Sequence, residues 1–174
     1  MESRSFYNEI LTEHNIHPEF KHDLPDADLV LEGVNPKEVF RNTICLSSDV
    51  NAAYDPTFAS VYDPLNSSYV NKGCVLTKYT GARGKSGSND ANAEYLAHIR
   101  NIFEKENIHF QTAELGRVDV GGGGTIAYLM SVYGMEVIDS GVAVLGMHAP
   151  WETTSKADVY EAVRCYEAFL KAEF

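Results

Sequence analysis

The run EVIDSGVAVLGMH, Glu136–His148, decides how this chain is read. Nearly every residue from Glu136 to Gly146 is apolar or small, and Gly141 interrupts the middle. That is the pattern of two strand pieces, or one bulged strand, enclosed by the core. The run ends on His148 ahead of Ala149-Pro150-Trp151-Glu152. A second short apolar run, Thr43–Leu46, is followed in the same way by a carboxylate, Asp49. Around these, strand and helix patterns alternate. Cys74–Tyr79 and His109–Ala113 read as strands, and Asn89 is placed to cap a helix from Asp90 to about Lys105. Thr125–Val132 reads as a short buried helix stopping at Gly134. Ser155-Lys156-Ala157-Asp158 opens a closing amphipathic helix as a capping box. This order predicts an α/β three-layer sandwich, with helices on both faces of a largely parallel or mixed sheet. The whole of 1–174 is expected to be a single domain.

Moving outward, Asn51–Asn71 reads as a long loop with turns at Asp55-Pro56 and Asp63-Pro64, and Thr80–Ser88 as a glycine-rich turn. Asn35-Pro36 opens a short helix through Phe40. Phe6, Tyr7, Ile10 and Leu11 recur at helical spacing almost from Met1, so the chain is expected to begin at or just before a helix. A chain of 174 residues can bury a full core without staples. Three cysteines, Cys45, Cys74 and Cys165, lack zinc-finger spacing and favour a reducing compartment, with the cytoplasm as the expected location. No apolar run is long enough to span a membrane, and the net charge of -11 argues against nucleic-acid and membrane partners. From Pro64 to Asn89 the balance reverses: Lys72, Lys78, Arg83 and Lys85 occur with no acid among them. Such a stretch suits a small anionic ligand or a solvated hairpin equally.

Three features carry candidate chemistry. Gly121–Gly124 before a short helix could cradle an anion, although a tight turn or a close packing contact is the commoner use of four glycines. No nucleophile elbow supports a serine hydrolase. Asp49 and His148, each just past a strand, lie where α/β folds place their sites. One carboxylate and one imidazole are suitable donors for a borderline ion such as zinc, though two ligands are too few to hold it.

Four motifs together carry a family resemblance. They are Leu46-Ser47-Ser48-Asp49-Val50-Asn51-Ala52-Ala53 with Asp55-Pro56; Gly81-Ala82-Arg83-Gly84-Lys85-Ser86-Gly87-Ser88-Asn89-Asp90-Ala91; Arg117-Val118-Asp119 with the glycines and Thr125-Ile126-Ala127; and Met147-His148. In order and spacing the chain resembles the carboxyl-terminal part of the catalytic domain of the aspartyl aminopeptidases, a family of zinc metallopeptidases. The resemblance implies a peptide substrate, two zinc ions with manganese or cobalt as possible substitutes, and removal of acidic or other amino-terminal residues. It places Asp49 on one metal and His148 on the other. Arg83 or Lys85 would meet an acidic substrate side chain, with Asp119, Gly122 and Gly123 lining the same pocket. The family's remaining histidine, its bridging aspartate and its glutamate pair, one of them the general base, would lie upstream of the matched region, so no catalytic residue is expected here. The chain is accordingly expected to be a fragment, inactive alone, that self-associates through an exposed sheet edge or through the surface its missing half would cover. The rival readings are a non-catalytic interaction or assembly module and a small-anion-binding protein using the glycine tetrad.

Overall fold

The computed structural model describes residues 18–19, 30–31, 36–82 and 86–174, which fall into two compact units, Met1–Thr43 and Ile44–Phe174. In the first, β1 (Pro18–Glu19) pairs antiparallel with β2 (Val30–Leu31), and α1 spans Pro36–Arg41. The Thr43 hydroxyl donates to Val39 O at 2.7 Å, closing the last turn of α1. The amino-terminal helix expected from Phe6 to Leu11 lies outside the described residues.

The second unit is built on β5 (Cys74–Ala82), which pairs with three strands. It runs antiparallel to β8 (Glu136–Gly141), parallel to β7 (Phe110–Glu114), and antiparallel to β6 (Ser86–Asp90) in a hairpin. The strand β3 (Ile44–Ser47) lies parallel to β8 and closes that side of the sheet. The sheet is mixed, as the alternation of elements predicts. The apolar run from Glu136 does divide at Val142: β8 belongs to the large sheet, while β9 (Ala143–Leu145) joins β4 (Asn51–Ala52) and β10 (Thr153–Thr154) in a small one.

Period-two alternation gives the large sheet two different faces. Cys74, Leu76 and Ile138 face α2 (Ala93–Lys105) and α4 (Lys156–Lys171), packing with Tyr95, Ile99, Phe103, Ala162 and Cys165. Each of the large apolar side chains here is stabilised by about 1.5–3 kcal/mol on burial. The opposite face carries Val75, Thr77, Val137 and Asp139. The five-residue α3 (Ala127–Ser131) comes to that face through Thr125, whose hydroxyl donates to Asp139. Helices on both faces of a mixed sheet make this an α/β fold.

Two local expectations change. Residues 86–90 are a strand, because Thr80 pairs with Asn89 and Tyr79 with Asp90, while Asn89 Nδ2 donates to Val137 O at 3.1 Å. Asn89 is therefore consumed by the sheet, and Asn92 caps α2 instead, its Oδ1 accepting the Glu94 N–H at 3.0 Å. The expected loop 51–71 contains β4 and a 3-10 helix, Pro56–Val61, capped by Asp55, which accepts the Thr57 N–H at 2.8 Å.

Candidate metal centre

Asp49 lies on the bend by which the chain leaves β3 and enters β4. Upstream, Ser47 sits in register with Asp139; downstream, the Asn51 N–H donates to Val142 O at 3.0 Å and the Ala53 N–H to Val144 O at 2.9 Å. The bend rests on Gly141, where a Cβ would stand 2.0 Å from Asp49 O. Only glycine permits that approach. The Asp49 carboxylate is half-exposed, and its Oδ1 accepts the Val50 N–H at 2.8 Å.

His148 follows β9 on an exposed turn closed by Ala149 N–H to Gly146 O at 2.8 Å. Its φ is +67°, a sparsely populated region for a residue with a Cβ, and its N–H donates to Glu152 Oε1 at 2.6 Å. Parallel register places Asn51 beside Ala143 and Ala52 beside Val144, so Asp49 and His148 flank opposite ends of this short ladder. Carboxylate and imidazole suit zinc in kind. In number they fall short: among the described residues no group of three or more His, Cys, Asp or Glu side chains is arranged to hold a metal ion.

The glycine stretch packs main chain against main chain. A Cβ at Gly122, φ +91°, would lie 2.3 Å from Leu115 O and 2.8 Å from Gly81 O, and Gly123 O accepts the Gly81 N–H at 2.9 Å. Gly122 and Gly123 thus fasten this loop to the β5–β6 hairpin, which is the close packing use of glycine. Asp119 is exposed on the same loop with φ +66°, in a turn where the Val120 and Gly121 N–H groups donate to Arg117 O. Arg83 and Lys85 lie outside the described residues. Of the nearby cations, Lys78 is paired with Asp90.

Two residues of this region escaped the sequence reading. Asp139 is 1 % exposed, with Oδ2 accepting the Thr125 hydroxyl at 2.6 Å. Its Oδ1 and the Ser47 hydroxyl, on register-matched residues, each have no hydrogen-bond partner. Burial pushes the Asp139 carboxyl above its ordinary range; the nearby hydroxyls of Ser47 and Thr125 oppose that, and the negative charge of Asp49 adds to it. An acid inside an apolar strand was the available signal. Asn51, fully buried, is the second. Its Nδ2 donates to Thr77 Oγ1 at 3.0 Å and to Glu114 O at 3.3 Å, and its Oδ1 accepts the Ser68 hydroxyl at 2.6 Å. Nothing in the linear pattern marks it.

Known proteins bear on this arrangement. A probable M18 family aminopeptidase 1 of Clostridium acetobutylicum is 59% identical over 134 residues, covering 77% of this chain and 29% of that protein. One from Thermotoga maritima is 44% identical over 146 residues, covering 84% and 31%. The crystal structure of aminopeptidase I from Clostridium acetobutylicum superposes with a TM-score of 0.73 at 57% identity, over 80% of this chain and 30% of that one. A dodecamer structure of mApe1 from Saccharomyces cerevisiae gives a TM-score of 0.62 at 27% identity, over 80% and 29%. The chain therefore spans about 30% of the length of the relatives it matches. The family model described as aminopeptidase I zinc metalloprotease (M18) matches residues 26–170, and with that match this chain belongs to the M18 family.

Proposed function

We propose that this chain forms part of the catalytic domain of a zinc aminopeptidase that removes acidic or other amino-terminal residues from peptides. In this reading Asp49 binds one zinc ion and His148 the other, and the remaining ligands and the general base come from outside the chain. Arg83 or Lys85, Asp119, Gly122 and Gly123 line the substrate side. The observation that carries the reading is the pair of donors held just beyond strand ends, Asp49 against Gly141 and His148 on a left-handed turn, in a chain of the M18 family. With a single donor per ion among the described residues zinc is not held, so on this reading the chain by itself is inactive. Manganese or cobalt could substitute for zinc.

The β3 edge favours self-association. Among the described residues β3 pairs only with β8, and its Ile44, Cys45 and Leu46 are only half-buried. Such an edge can accept a strand from a second copy or from the rest of the domain. The reading of the protein as an assembly module rests on the same surface. Among the described residues no helix is long and apolar enough to cross a membrane.

The test is hydrolysis of glutamyl and aspartyl anilides with added zinc, manganese or cobalt, alongside bound-metal content. The chain alone should show neither turnover nor stoichiometric metal, and should gain both when combined with a chain carrying the other ligands. Turnover by the chain alone, abolished by a chelator and by His148→Ala, would refute the account of the missing ligands.

A further inference from the structure

The bend that carries Asp49 has no regular secondary structure of its own, yet it is clamped from three sides. Ser47 holds its entry through the ladder with β8, and Gly141 supports Asp49 from below at a distance that excludes any Cβ. Its exit is fixed by Asn51, 0 % exposed, which uses both amide hydrogens and its carbonyl oxygen at once. Those bonds reach β5 through Thr77, the end of β7 through the Glu114 carbonyl, and the Ser68 loop. The Asn51 main-chain N–H adds a fourth attachment, to Val142 at the crossing between the two sheets.

A buried amide whose two N–H donors and one oxygen acceptor are all satisfied cannot rotate without leaving polar groups unpaired, at about 1–3 kcal/mol for each group. Asn51 is thus far more constrained than its two-residue strand needs. It stands two positions after Asp49, with only Val50 between, and the Val50 N–H is the group that Asp49 Oδ1 accepts at 2.8 Å. The bonds of Asn51 therefore fix the main chain one residue beyond the Asp49–Val50 peptide, whose N–H the carboxylate accepts.

We infer that Asn51 is a positioning residue: through its bonds to Thr77, Glu114 O and Ser68 it sets the direction in which Asp49 presents its carboxylate. It binds no metal or substrate. The inference rests on the reading of Asp49 as a ligand, because a side chain without a role would need no such clamp.

The test uses the full chain and the NMR amide proton shift of Val50, which donating a hydrogen bond to a carboxylate moves downfield. Asp49→Ala defines the position of that signal without the bond. Asn51→Ala should carry the Val50 signal most of the way to that position. Thr77→Val keeps side-chain shape, removes one acceptor and preserves the fold; it should move the signal part of the way. In both variants the amides of Val137 in β8 and Ile99 in α2, neither adjacent to a substituted residue, should keep their wild-type shifts. A Val50 signal that stays at its wild-type position in folded Thr77→Val and Asn51→Ala overturns the inference. So does a displacement shared equally by Val137 and Ile99, which is what a merely structural role produces. The ligand reading fails separately: chelator-sensitive hydrolysis that survives Asp49→Ala in the complemented enzyme would remove it, whatever Val50 does.

Discussion

Asp158 allows a quantitative test of how the second unit is held together. It lies in the first turn of α4, 1 % exposed, and its two oxygens accept main-chain N–H groups 85 and more residues away: Asn71 at 2.7 Å and Gly73 at 2.8 Å. Both partners have left-handed backbone, φ +63° and +86°, and Gly73 leads straight into β5. A Cβ at Gly73 would meet His109 O at 2.0 Å, so the turn cannot relax toward β7. Hydrogen bonds to a charged group contribute roughly 1.5–3 kcal/mol each, and a buried donor left unpaired carries its full desolvation cost. Asp158→Ala should therefore destabilise the chain by about 3–5 kcal/mol. With a urea m-value of about 2 kcal/mol/M, the unfolding midpoint falls by about 2 M. Asp158→Asn keeps one acceptor and turns an amide toward the other N–H, so about half of that loss is expected. Ser155→Ala removes the cap, whose Oγ accepts the Ala157 N–H at 3.2 Å, for about 1 kcal/mol. Urea unfolding followed by far-ultraviolet circular dichroism reads all three. A shift below about 0.5 M for Asp158→Ala would show that the Asn71–Gly73 turn is held by something else, and would refute the reasoning.

Further tests address the site. Gly141→Ala forces a Cβ against Asp49 O, and the overpacking should cost about 1–3 kcal/mol in the same unfolding assay; an unchanged midpoint would mean the bend is free to move. Asp139 has a folded-state pKa raised above its unfolded one, so its contribution is fully present at acid pH and is lost as pH rises through the folded value. Asp139→Asn should therefore gain on the wild type in thermal stability between pH 3 and pH 7; parallel pH profiles would contradict the burial argument. Leu46→Lys on the β3 edge should lower concentration-dependent association in sedimentation velocity, and association that persists unaltered would place the contact elsewhere. His148→Ala in the complemented aminopeptidase should abolish anilide hydrolysis and lower bound zinc; full metal content would take His148 out of the ligand set.

The periodic elements were legible because one physical cause, burial of an apolar face, writes itself at fixed spacing. The division of Glu136–Leu145 at Gly141–Val142 could be read as a break, since a glycine inside an apolar run marks a close approach. Turn chemistry was less secure. Asn89 is as good a cap as Asn92 in the linear sequence, and only the pairing of Thr80 with Asn89 across the hairpin decides between them. The family was legible from four motifs, because they depend on residue identity and order, and those survive without coordinates.

The sequence by itself determined the alternation of strands and helices, the amphipathic faces of α2 and α4, the need for glycine somewhere in 121–124, and Asp49 and His148 as the residues to examine. Only the tertiary structure decided what each glycine leans against, that Asp139 is buried in register with Ser47 with an unpartnered oxygen, and that Asn51 joins β5, the end of β7 and the Ser68 loop. The reason is range. Helix and strand patterns come from neighbours a few residues apart, whereas Asn51 meets Thr77 and Glu114 across separations of 26 and 63 residues. Contacts of that length leave no period in the chain, and exist only once the sheet has brought their partners together.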